Sequence, residues 1–292
     1  MKQLAFAYSN TFLSNYSIDG EEVRSMGTKI GKTVRLFGME FQRAVLSKKF
    51  AVAVVLTVLM EMLSSAMMLF QSGATVIETL NFMFDGAGSA FLILCLFPLL
   101  PFSLSYAEDM EENALTYYMV RTDTVSFMLN RFFVVCLSAF LCVVCSFILF
   151  IIILRCMGEP LFWAEVNYQN AGYDQFLAVG NTTAFLCCYI ADRALSAVMM
   201  SACAVWISTI FPNTLFSFTA PVCIYFLVLR VIRFSAELEK PYLQVSSWIE
   251  GIYASPAGGI ATFLCKLGVT AMVCTVYGIL TVILVQRRWH YE

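Results

Sequence analysis

The chain has 292 residues, of which 60% are hydrophobic and 13% charged, with a mean hydropathy of +0.78. A soluble domain carries about a quarter charged residues, so this composition excludes one and marks an integral membrane protein. The net charge of −2 says nothing about nucleic acid or acidic partners, so where the charges fall matters more than their sum.

Residues 1–49 form an amino-terminal segment with no firm pattern before about Gly20. The stretch Gly27–Thr33, GTKIGKT, resembles a phosphate-binding loop. The pattern G-x-x-x-x-G-K-[ST] needs its first glycine at position 26, where Met26 stands, and it needs a preceding buried strand, where Asp19–Glu22 stand instead. The stretch reads as a turn leading into a basic helix. Over 31–49, Val34, Phe37, Phe41 and Val45 recur at three- and four-residue intervals, with Lys32, Arg35, Gln42 and Arg43 mostly elsewhere around the helix. This predicts a membrane-surface helix, its basic side chains at anionic headgroups and Phe37 and Phe41 at the acyl boundary. A merely solvated juxtamembrane helix is the other reading.

Six apolar runs follow, each about long enough to cross 30 Å of hydrocarbon. They are Phe50–Phe70, Gly88–Ala107, Phe132–Leu154, Ala194–Phe211, Leu215–Ile232 and Ala261–Val285. The expected fold is an all-α polytopic membrane protein, with residues 50–292 as one six-span domain. Glu61 interrupts the first run near its middle. It is read as lining a translocation path, as hydrogen-bonding a neighbouring helix or a second membrane subunit, or as lying shallower in a span that starts later. Pro98 and Pro101 are expected to bend the second span where it leaves the membrane. Glu108, Asp109, Glu111 and Glu112 come next, placed by this reading at the start of a short helix, with Leu115, Tyr118, Met119 and Thr122 supplying a docking face. Pro212 and Asn213 make a tight turn between the fourth and fifth spans.

Six spans put both termini on one side, which then carries 12 of the 18 basic residues. The positive-inside rule makes that side cytoplasmic. An apolar run that begins only at Phe50 also argues against a cleaved signal peptide. On the outer side, Arg155–Arg193 interleaves Trp163, Tyr168 and Tyr173 with Glu159, Glu165 and Asp174, as interfacial anchors or as the mouth of an exit path. Asn181, Thr182 and Thr183 form a sequon that matters only in a eukaryotic secretory setting.

Enzymatic motifs fail by count. A single histidine, His290, rules out H-E-x-x-H and multi-histidine metal sites. Cys142 and Cys145 form a C-x-x-C inside the third run, more in keeping with apolar packing than with a redox pair.

Taken in order, these features resemble the permease subunits of type-two ABC transporters, mostly bacterial exporters. The resemblance covers essentially the whole chain. It rests on the amphipathic helix, the six runs, and a proline-bearing second span followed by Ser103, Leu104, Ser105, Tyr106, Ala107 and Glu108, one residue looser than the family's S-x-Y-x-E. Arg121 before the third span and the stretch SSWIEGIYASPAGGI before the sixth complete it. The resemblance implies a bacterial cytoplasmic membrane, a second permease (identical or related), and two copies of a separate ATPase subunit that bind the ATP and Mg. This chain would then hold no cofactor and perform no hydrolysis, and it implies no nucleic-acid partner. The family's coupling helix falls on Glu108–Asp123, which assigns Glu108, Glu111 and Arg121 to charge pairing with the ATPase and Leu115 and Tyr118 to apolar contact. The cargo stays open among drugs, antimicrobial peptides, lipids and polysaccharides. An ion-coupled secondary transporter and a non-transporting scaffold or sensor subunit are the alternatives.

Overall fold

The computed structural model describes residues 33–70, 73–85, 92–112, 115, 123–162, 172–234, 248 and 253–291. Lys32, Tyr118, Arg121, Trp163 and Tyr168 lie outside the described residues, as does most of GTKIGKT. Every regular element among the described residues is helical. The elements are α1 over 33–45, α2 Lys48–Ser64, α3 Ala66–Leu69, α4 Val76–Asp85, α5 Ser105–Glu111, α6 Thr124–Cys156, α7 Asp174–Ala178, α8 Thr182–Ile210, α9 Thr214–Phe234 and α10 Gly259–Tyr291.

Helices α6, α8 and α10 are long and apolar enough to cross a membrane. Helix α8 is the centre of the bundle: 83% of its apolar window is buried, against 44% for α6 and 22% for α10. It packs on α6, α10 and α9 and on the turns before α5. Small residues on α8, among them Ala194, Ser196, Ala197, Ser201, Ala202 and Ala204, are buried and let neighbouring helices approach closely. The outward sides of α6 and α10 expose Phe133, Ile148, Ile152, Leu264, Met272 and Ile279. Those surfaces suit lipid.

Helix α8 begins twelve residues before the Ala194–Phe211 run that marks it in the sequence. Asn181 caps it, its side chain accepting from the Ala184 N–H at 3.1 Å. Asp192 and Arg193 lower the local hydropathy, yet both side chains are buried inside the bundle. The first run likewise divides. Helix α2 stops at Ser64, where the Ser64 and Ser65 hydroxyls donate back to the Met60 and Glu61 carbonyls, each at 2.7 Å, and α3 follows. Glu61 is therefore near the far end of α2, not in the middle of a continuous span.

The described part of the second run is no bent α-helix. Leu92–Leu96 form a π turn and Phe97–Leu99 a 3-10 turn, and further turns lead to α5. Pro98 and Pro101 each lack an N–H and crowd the carbonyl four residues back, so the α ladder cannot pass them. Tighter bonds take over at two points: Leu100 N–H donates to Phe97 O at 3.1 Å and Ser105 N–H to Phe102 O at 3.0 Å. Helix α1 also departs from a purely membrane-facing role. Phe37 and Phe41 stack with ring centroids 6.1 Å apart and pack on a core of Ala44, Phe102, Phe132, Val135 and Val205, while Val34, Met39 and Leu46 remain exposed. Arg35 is exposed on the other side.

Candidate functional site

The acidic residues after the proline turns come together on α5, at the end of the bundle where α8 finishes and α9 starts. Glu108 lies in the first turn, but Asp109, Glu111 and the cap residue Glu112 crowd the carboxyl end. The helix dipole disfavours acids there. What holds them is a set of partners from four other helices.

Asp109 is the centre. It is 1% exposed and pairs with Arg131 of α6, itself 1% exposed. Its other oxygen accepts from Arg43 of α1 at 3.0 Å. The i, i+4 spacing of Ser105 and Asp109 places both on one face of α5, and Ser105 Oγ accepts from Arg131 Nε at 3.1 Å. The Arg131 guanidinium also lies 5.3 Å from the Phe127 ring and 5.7 Å from the Phe102 ring. Burial alone would raise the Asp109 carboxyl, but the Arg131 charge, with the hydrogen bonds from Arg43 and Arg131, outweighs it and holds the group below the usual carboxylate range.

Glu108 and Glu111 secure the rim. Lys49 of α2 meets Glu108 at 2.5 Å, an exposed pair. Glu111 accepts from the Thr214 N–H at 2.8 Å and the Thr214 hydroxyl at 2.7 Å, adding to the cap that Asn213 supplies through the Phe216 N–H at 3.1 Å. These Thr214 bonds lower the Glu111 carboxyl. Beside the Glu108 pair an open cavity of about 330 Å³ is lined by Arg43, Lys48, Lys49, Pro101 and Glu108.

The residues assigned from the sequence to an ATPase contact thus have different positions. Glu108 and Glu111 are both at the surface and both bonded within the chain. Leu115 is 1% exposed, packed with Tyr106, Phe127, Met128 and Val285, so its side chain faces its own protein. Asp109, Arg131 and Thr214 were not singled out. The signals were present: a charged Arg at the very edge of an apolar run, an acid four residues from a serine, and a hydroxyl residue just after Pro-Asn.

Glu61 lies elsewhere, fully buried between α2 and α6. Its Oε1 accepts from the Ser146 hydroxyl at 3.1 Å, and its Oε2 has no hydrogen-bond partner. Of the three readings of Glu61, the helix-to-helix hydrogen bond describes this arrangement. No grouping of His, Cys, Asp and Glu among the described residues could hold a metal ion. No protein-family model, curated protein or solved structure matches this chain.

Proposed function

We propose that this chain is the permease subunit of an ATP-driven type-two ABC transporter of the bacterial cytoplasmic membrane. It would pair with a second permease, identical or related, and with two copies of a separate ATPase subunit. In this reading the chain has six spans and cytoplasmic termini, α1 is the connecting helix, and α5 with the segment up to Asp123 is the coupling element. The export cargo is a drug, antimicrobial peptide, lipid or polysaccharide.

The observation that carries the reading is the attachment of α5. One short acidic helix at one end of the bundle is joined through Asp109, Glu108 and Glu111 to α1, α2, α6 and α9. A push on such an element by a soluble partner is delivered to several long helices at once, which is the mechanical need of a subunit powered from outside itself. The outward surface left for that partner centres on Glu112 and the exposed edges of Glu108 and Glu111, followed in the sequence by Tyr118 and Arg121.

Substituting Glu112 and Arg121 tests the assignment: Glu112 is exposed and outside the internal bonds just described, and Arg121 is the basic residue that the resemblance assigns to the contact. The account predicts ATPase activity no longer coupled to transport, with the membrane subunit still folded. Unchanged coupling in the double variant E112A/R121A contradicts it. Ion-coupled secondary transport is the second reading, favoured by one observation: Asp192 is a further carboxylate buried in the bundle, 3.9 Å from Lys266. Flux driven by an ion gradient without any ATPase would establish that reading instead.

A further inference from the structure

Far from α5, the bundle contains a charge that no described residue answers. Asp192 and Arg193 of α8 and Lys266 of α10 are 4%, 8% and 2% exposed. Lys266 Nζ stands 3.9 Å from Asp192 Oδ1, donates to Ser196 Oγ at 2.8 Å and donates to the Trp248 carbonyl. That ammonium is fully engaged, and it neutralises the one carboxylate of the group.

Arg193 has no equivalent among the described residues. Its Nε and Nη1 are buried without a hydrogen-bond acceptor. Its guanidinium carbon lies 4.3 Å from the Phe84 ring centroid and 5.0 Å from the Tyr189 ring. Those rings belong to an apolar core with Met83, Phe147 and Phe185. Cation–π attraction offsets only part of the cost of desolvating a guanidinium, and a buried charge with unused donors is strongly unfavourable unless an anion meets it. Asp192, Arg193 and Lys266 together sum to one positive charge.

We propose that Arg193 is the anchor of a binding site for a single oxyanion, carboxylate or phosphate, carried on an apolar body. The guanidinium supplies planar donors suited to an oxyanion, and the aromatic and methionine side chains around it suit an attached hydrocarbon. Lys266 and Asp192 set the charge of the site by cancelling one another. Arg193 is 17 residues from Ile210, about 26 Å along α8 from the end that abuts α5, so this site is separate from the acidic helix. It stands whichever energy source drives the protein.

The test uses the full chain in dodecyl maltoside micelles, whose headgroups carry no oxyanion, with the thermal unfolding midpoint followed against added dodecyl phosphate and, separately, against added phosphatidylglycerol. The site predicts a saturable rise with at least one of these oxyanions and none with further dodecyl maltoside. A rise with phosphatidylglycerol alone makes the source a lipid headgroup, and a rise with dodecyl phosphate extends it to free amphiphiles. R193Q should lose the rise while matching or exceeding the wild-type midpoint without ligand, since it removes an unpaired buried charge. R193K, which keeps the charge but not the planar donors, should need about tenfold more ligand. No saturable rise with either oxyanion, or an undiminished rise in R193Q or R193K, overturns the proposal.

Discussion

Asp109 joins three elements through two arginines and has almost no contact with solvent. Replacing it by alanine leaves Arg131 buried without its counter-charge, which costs about 3 to 5 kcal/mol for a pair of this kind. Unfolding of purified D109A in detergent should show a loss of that size. The double variant D109L/R131M, which replaces the pair with apolar side chains, should recover most of it. Losing the half-exposed Arg43 should cost much less, about 1 kcal/mol or below. The depressed Asp109 carboxyl also fixes a pH dependence. Its contribution is complete above the unfolded-state value of about 3.9 and is lost as pH falls through the lower folded-state value. The midpoint of the wild type should therefore fall on acidification below about pH 4, and the slope of that limb should be shallower in D109A. Glu61 makes a different demand, because only one of its oxygens is bonded. E61Q retains an acceptor for Ser146 and should leave folding and transport intact. Altered transport selectivity in E61Q would instead support a role in the path. The sequence made Glu61 conspicuous because it interrupts an apolar run. It left Asp109 as one acid among four, since what distinguishes Asp109 is the arrival of Arg43 and Arg131 from distant positions, and only the tertiary fold supplies that.

Elements were legible where hydropathy alone decides them. Helix α6 covers the Phe132–Leu154 run, α9 begins one residue before the predicted Leu215 after the Pro-Asn turn, and α10 contains the whole Ala261–Val285 run. The readings were less complete where polar groups are buried in pairs. Helix α8 was expected to start at about Ala194, where the apolar run begins, whereas Asp192 and Arg193 before it are buried residues of the same helix. Helix α5 was expected to carry its acids at its start, where the dipole favours them, but they lie toward its end and are held by partners from other helices. The turns before α5 were expected to be a bend because two prolines in a long helix usually give a kink. Three residues apart, Pro98 and Pro101 instead break successive turns of the ladder. Glu111 offers a test at this scale. E111A removes the acceptor from the first turn of α9, so hydrogen exchange at the Thr214 amide should speed up while the amides in the middle of α8 keep their protection. Equal protection of Thr214 in both proteins would show that Asn213 caps α9 unaided.

At the scale of the molecule, α8 is a buried central helix with one polar group abutting its carboxyl end and another nearer its middle. One group, at α5, is tied to α1, α2, α6 and α9 by charge and capping bonds. The other, at Arg193, carries a net positive charge about 26 Å away. The positive-inside count is also sharpened, because Arg131, Arg193 and Lys266 are interior residues that belong to neither loop set. In the six-span reading, the remaining excess of Lys and Arg would still fall on the side assigned to the two termini. In the proposed function this chain moves cargo with energy taken from a separate ATPase seated against α5 and the segment that follows it. The most direct measurement is affinity purification of the tagged chain from its native membrane in mild detergent, with the stoichiometry of what accompanies it. The account predicts a soluble ATP-hydrolysing subunit at one copy per permease, released by E112A/R121A. A chain that purifies without any ATPase and carries out ion-driven flux when reconstituted alone would contradict it.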